Sequence, residues 1–182
     1  MSDFIRLRHS MDVSPLLTEL SINDDWHTDT YRQTFMKIFK DTLNIPLTEK
    51  LTRHVGPRPP MKPTPLYGKY HRAHDFFREF ERCYGGSIIN AVFTFLRVGG
   101  RVPPHIDLHE FFRHHDRFHL VIKGRYTMST HAQTIRGVAG DLWWCNNDVE
   151  HWSENDGTEE RIALIFDARD SSWRSRGTAA AP

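Results

Sequence analysis

Residues 87–98 read SIINAVFTFLRV, and their texture decides the fold class. β-branched and aromatic side chains fill the run, with apolar residues on both faces of an extended chain, as in a strand buried from two sides. The same texture recurs in RFHLVIKGRYTMST (117–130), TIRGV (134–138), GDLWWCN (140–146) and EERIALIFDA (159–168), with Gly, Asp and Asn turns between them. Short strands apolar on both sides suit a closed or double-sheet barrel with a small-molecule cavity inside and helices covering part of the outside. The expected architecture is mainly β with N-terminal helices, a helix-backed jelly-roll barrel.

Upstream of the strands the texture is different. DTYRQTFMKIFKDTLNI (29–45) spaces Tyr31, Phe35, Ile38 and Leu43 roughly along one helical face, and a second helix is expected over about 70–83. Between them, HVGPRPPMKPTP (54–65) holds too many prolines to supply the backbone donors of a helix or central strand. It reads as a loop, either a rigid connector or a lid facing a substrate. The expected organisation is one domain over 1–182: helical support and the proline-rich loop in 1–86, the barrel core in 87–168 and a tail in 169–182.

Composition narrows the classes of function. Hydrophobic residues make up 38% and charged ones 26% of the 182 residues, the balance of a globular domain. Lys and Arg number 24 against 23 Asp and Glu, so no excess of positive charge points to a nucleic acid partner. No segment is apolar for long enough to span a bilayer and MSDFIRLRHSMDVSPLL lacks the features of a signal peptide, so no membrane partner is expected and the cytoplasm is the expected location. Cys83 and Cys145 sit in unrelated contexts that form neither a disulfide framework nor a zinc motif, and Cys145 is expected to pack inside a strand.

The chemistry concentrates in PPHID (103–107) and NNDVEHWSEN (146–155). His105 and Asp107 are one residue apart, so on extended chain they point the same way and can grip one ion together. His151, beyond the strand GDLWWCN, offers a third ligand. Two imidazoles and one carboxylate on one side of a metal leave the opposite positions open, the arrangement associated with non-haem Fe(II) oxygenases.

Arg161 adds a second element, a cation entering a strongly apolar strand. Its guanidinium matches a carboxylate, either a local acid such as Glu159 or Asp167 or the carboxylate of a ligand. A hairpin with the loop Asn155-Asp156-Gly157 would set His151 directly opposite Arg161, with both on the inner face of the barrel. A one-residue slip would send them to opposite faces.

Taken in order, PPHID, RFHLVI, GDLWWCNNDVEHWSEN and RIALIFDA resemble the aspartyl/asparaginyl β-hydroxylase family of Fe(II)- and 2-oxoglutarate-dependent oxygenases, over about residues 90–168. The resemblance implies a double-stranded β-helix, the cupin-like form of the jelly roll. It implies that His105, Asp107 and His151 bind iron and that Arg161 binds the distal carboxylate of 2-oxoglutarate. It also implies that Arg117 and His119 contact the co-substrate, and Thr94 falls where the family often carries a serine. The activity so implied is hydroxylation of an unactivated C–H bond of an amino acid, free or within a peptide or protein, using O₂ and releasing succinate and CO₂. Animal members that act on epidermal-growth-factor-like domains lack the carboxylate found here at Asp107, which sets this chain nearer to the free-amino-acid, proline-hydroxylase-like branch.

The remaining histidines are expected to do other work. His109, His114 and His115, in LHEFFRHHD, read as loop or rim residues, or with Arg113 as a recognition site for an acidic or polar substrate. His71 and His74 read as surface, and Trp143, Trp144 and Trp152 as core and barrel wall, with one of the adjacent pair inward and the other toward the helices. Two other functions fit the same residues: a cupin-like metalloenzyme that does not use 2-oxoglutarate and would not need Arg161, and a non-catalytic binding barrel.

Overall fold

The computed structural model describes residues 2–29, 34, 36–49, 61–107 and 115–173. Among these, ten strands are numbered in chain order: β1 (Phe4–Arg8), β2 (Thr42–Pro46), β3 (Ser87–Leu96), β4 (Arg101–His105), β5 (Asp116–Lys123), β6 (Tyr126–Thr130), β7 (Thr134–Gly137), β8 (Leu142–Cys145), β9 (His151–Glu154) and β10 (Arg161–Arg169). They form a six-stranded sheet in the order β1-β8-β5-β10-β3-β2 and a four-stranded sheet in the order β4-β9-β6-β7. This is the double-sheet jelly roll that the strand texture calls for. The α-helices α1 (Ser14–Asn23) and α2 (His71–Tyr84) back the larger sheet.

Strand parity explains why these sequences are apolar on both sides. On β10, Ile162, Leu164, Phe166 and Ala168 face the helices, while Ala163 joins an inner cluster with Val121, Tyr126, Met128 and Ile135 between the sheets. On α2, Ala73, Phe77 and Phe80 recur at helical spacing and are buried. Phe80 and Phe166 pack edge to face, with ring centroids 4.9 Å apart, and Phe80 meets Phe118 at 4.8 Å. Trp144 lies in the helix-facing cluster and Trp143 in the inner one, as alternation requires. Cys145 is buried in β8.

Two expectations need correction. Residues 29–45 do not form a single helix: Lys37–Phe39 is one 3₁₀ turn and Thr42–Pro46 is a strand paired with β3, while Tyr31 and Phe35 lie outside the described residues. Thr42, Leu43, Asn44 and Ile45 alternate, sending Thr42 and Asn44 into the barrel and Leu43 and Ile45 toward the helices. That two-residue period outweighs the sparse helical spacing. β1 likewise adds a strand to the larger sheet from a region expected to be helical.

The second correction concerns β9 and β10. They do not form a hairpin: β9 pairs with β4 and β6 in the small sheet, whereas β10 pairs with β3 and β5 in the large one. Arg161 therefore stands opposite Leu96, not His151. Asn155 diverts the chain between the sheets, its Nδ2 donating to the carbonyls of Leu96 (3.1 Å) and Glu159 (2.8 Å) and its Oδ1 accepting from Gly157 N (3.1 Å). A similar crossing joins β5 to β6 at Gly124, where φ is +73° and a Cβ would lie 2.5 Å from the Glu160 carbonyl oxygen. Of the proline-rich loop, 54–60 lies outside the described residues. Its C-terminal part runs beside 47–49, with Glu49 N donating to Lys62 O at 2.7 Å.

Candidate active site

His105 ends β4 and His151 opens β9, and the register sets the two directly opposite each other. Their rings lie 4.4 Å apart between centroids. Asp107 follows two residues after His105, and one ligand atom from each of the three residues lies within 4.8 Å of the others. Both histidines are oriented in the same way. Nδ1 of His105 donates to the Pro103 carbonyl at 2.8 Å and Nδ1 of His151 to the Val149 carbonyl at 2.9 Å, which fixes the tautomer and leaves each Nε2 lone pair for an ion. Burial holds the His151 imidazole below its ordinary pKa and therefore neutral, as a ligand must be. Phe39 closes one side, edge-on to His105 at 5.7 Å.

The large sheet forms the opposite wall. Arg161, Thr94, Arg117 and His119 all line the cavity that holds the three candidate ligands. Arg161 is only 3% exposed, and its Nε and Nη1 have no hydrogen-bond partner. Those absences hold among the described residues, where its guanidinium lies over the Tyr126 ring, 4.7 Å from Cζ to the centroid. Burial pushes its pKa down to about 10. Neither local acid serves it: Glu159 is exposed, and Asp167 is bound to Arg117. The inward direction expected of Arg161 and His151 thus holds, but it comes from two facing sheets rather than from a shared hairpin.

Arg117 lines the cavity while bonding two carboxylates. Its Nε donates to Asp167 Oδ1 at 2.9 Å and its Nη2 to Asp167 Oδ2 at 3.2 Å, while Nη1 donates to Asp107. His119 Nδ1 bonds the Tyr126 hydroxyl, which in turn lies 3.1 Å from Met128 Sδ, and His119 Nε2 has no partner. Burial first, then the cations Arg117 and Arg161, push the His119 pKa far down, so the ring is neutral. Thr94 Oγ1 reaches the Ala163 carbonyl at 3.4 Å.

Sequence reasoning missed Asn44, Tyr126 and Met128, which line the same cavity. Asn44 is 3% exposed with an unpartnered Nδ2. Its signal was the alternation in TLNIP, which a helical reading hid. Of the other histidines, His115 is buried rather than on the rim, and His74 Nε2 bonds the Tyr67 carbonyl at 2.8 Å. His109, Arg113 and His114 lie outside the described residues. No helix among the described residues is long and apolar enough to cross a membrane.

No curated protein matches the chain in sequence. Among solved structures, an oxidoreductase of the 2OG-Fe(II) oxygenase family from Burkholderia pseudomallei superposes with a TM-score of 0.50 at 12% identity, over 72% of this chain and 68% of that one. A cupin-2 conserved barrel protein from Salinispora arenicola matches at TM-score 0.36 and 15% identity, over 48% of this chain and 67% of that one. A conserved protein of unknown function from Streptococcus pyogenes matches at TM-score 0.37 and 14% identity, over 44% of this chain, and the match spans 63% of that protein's length. The first of these likenesses concerns the fold alone. The family model for aspartyl/asparaginyl β-hydroxylases matches residues 75–171, more than half of the sequence, from within α2 through β10, and by that match the chain belongs to the aspartyl/asparaginyl β-hydroxylase family.

Proposed function

We propose that the protein is an Fe(II)- and 2-oxoglutarate-dependent hydroxylase acting on an unactivated C–H bond of an amino acid, free or within a peptide. One observation carries this reading: a two-histidine, one-carboxylate cluster shares its cavity with a buried arginine that has no acid partner among the described residues. A buried cation without a counter-charge costs several kcal/mol, on the order of what an ionic ligand would recover. The requirement is met by an anion reaching between Arg161 and the metal ligands, as a 2-oxo diacid does. The unpartnered nitrogens of Arg161, His119 and Asn44 fit a ligand rich in oxygen acceptors.

In this reading His105, Asp107 and His151 hold the iron through two Nε2 atoms and one carboxylate oxygen. Arg161 forks to the distal carboxylate and so fixes the co-substrate's direction. Thr94 and neutral His119 flank it. Asn44, on the edge strand β2, presents an unpartnered amide nitrogen to the same cavity. The bound iron and 2-oxoglutarate supply O₂ activation, and the chain supplies orientation and the exclusion of water. Asp107 favours the free-amino-acid branch of the family, since it completes the ligand set that branch keeps.

Anaerobic loading with Fe(II) and 2-oxoglutarate, followed by air and a panel of free amino acids and short peptides, tests the proposal. Succinate release stimulated by one class of additive is the expected result. Metal-dependent turnover that does not need 2-oxoglutarate would support a cupin-like metalloenzyme instead.

A further inference from the structure

Asp107 differs from the two histidines in how it is held. His105 and His151 sit within the β4–β9 ladder and are braced by backbone carbonyls. Asp107 lies beyond the end of β4, next to exposed Ile106, with no strand partner. What orients its carboxylate is Arg117 Nη1.

Arg117 is itself fixed from behind. Asn90, Asp167 and Arg117 stand side by side on β3, β10 and β5 in directly paired positions. Asp167 is fully buried and accepts Nε and Nη2 of Arg117 as a fork. Asn90 Nδ2 donates to Asp167 Oδ2 at 2.7 Å, and Thr48 Oγ1 donates to Asn90 Oδ1 at 2.8 Å while accepting from Ala91 N at 3.0 Å. The backbone N–H at Ala91 gives this chain one direction only. Thr48 must donate onward, so the Asn90 carbonyl faces Thr48, its NH₂ faces Asp167, and Asp167 accepts from both neighbours. A guanidinium is planar, so holding Nε and Nη2 sets the direction of Nη1.

We propose that Asp167, supported by Asn90 and Thr48, is a positioning residue for the metal centre: it locks Arg117 so that Nη1 holds Asp107 in its ligating orientation. This rests on the metal reading above and adds to it a buried relay that touches neither metal nor substrate. Such outer partners carry about 10–100-fold in metal affinity where they have been removed.

Co(II) is the probe, titrated into the purified full-length protein and followed by its visible d–d bands. Arg117→Gln and Asp167→Asn are each expected to weaken Co(II) binding about tenfold or more and to alter the bands in the same way. Asn90→Ala, which leaves the ion pair intact, is expected to weaken it by a smaller factor. Because Asp167 acts through Arg117, the double variant Arg117→Gln/Asp167→Asn is expected to bind Co(II) no worse than Arg117→Gln alone. Arg117→Gln leaves buried Asp167 without its cation, so if either single variant fails to fold the double variant, which removes both charges of the buried pair, is compared with wild type, and wild-type affinity in it overturns the proposal. Wild-type bands and affinity in Asp167→Asn, or a further tenfold loss in the double variant, would overturn the proposal. A wild-type protein that takes up no Co(II) would overturn the metal reading and this one with it, whereas normal uptake with indifferent variants would overturn this one alone.

Discussion

The Arg161 guanidinium rests against the face of Tyr126, 4.7 Å from Cζ to the ring centroid, with two of its nitrogens unpartnered. In the ligand-free protein this is a burden, because a ring face compensates a buried charge only in part. Arg161→Met should therefore leave stability unchanged or raise it, by on the order of 1–3 kcal/mol in urea unfolding. The same substitution should greatly raise the 2-oxoglutarate concentration needed for binding while leaving Co(II) uptake intact. A clear loss of stability would mean that Arg161 has an internal partner and serves the fold.

Acid should weaken the metal-free fold through His119 and His151. Burial lowers both pKa values, whereas in the unfolded chain each histidine takes up a proton near about pH 6.5. Below that pH the unfolded state binds more protons than the native one, so stability falls as pH drops, by up to about 1.4 kcal/mol per pH unit for each histidine. Above about pH 7 both are neutral in either state, and the dependence should flatten. Urea midpoints on either side of pH 6.5 read this directly. His119→Asn should remove the larger part of the slope, and a midpoint that rises on acidification would contradict the assignment.

Two buried asparagines should respond in opposite ways. Asn155 makes three side-chain hydrogen bonds at the crossing between the sheets, so Asn155→Ala is expected to cost about 2–4 kcal/mol. Asn44 has an unpartnered Nδ2 facing the cavity, so Asn44→Ala should change stability by less than about 1 kcal/mol. Chemical denaturation of the two variants makes the comparison, and equal losses would show that Asn44 is structural.

The seat of α2 is predicted to be costly to empty. Phe80 packs on Phe118 and Phe166 at 4.8 and 4.9 Å, and Phe80→Ala should lose about 3–5 kcal/mol. Differential scanning calorimetry would register this as a lower Tm, and an unchanged Tm would mean that the helix does not depend on this contact.

The barrel strands were legible because their side chains obey a period of two on both faces, so SIINAVFTFLRV and EERIALIFDA needed no tertiary information. His105 and Asp107 were legible for the same reason, since one intervening residue keeps them on one side of extended chain. The partnership of His151 with Arg161 was not. Asp156 and Gly157 resemble a hairpin turn, but Asn155 uses its side chain to tie Leu96 to Glu159 and sends the chain across to the other sheet. The same two residues meet in the cavity through a contact between sheets that no local pattern encodes. β2 was hidden in turn because Thr42 and Asn44 are polar residues on an inward face, which mimics the polar side of a helix until the cavity supplies the reason. Asp167 was visible as a possible partner for Arg161, yet strand pairing gives it to Arg117.

The most direct test of the account is the visible charge-transfer absorption that arises when a 2-oxo acid chelates Fe(II), measured without oxygen on the full-length protein. The account predicts a band that needs both Fe(II) and 2-oxoglutarate, disappears in His105→Ala and His151→Ala, and in Arg161→Ala appears only at much higher 2-oxoglutarate. Folded protein that shows no band, or a band indifferent to Arg161, would contradict it.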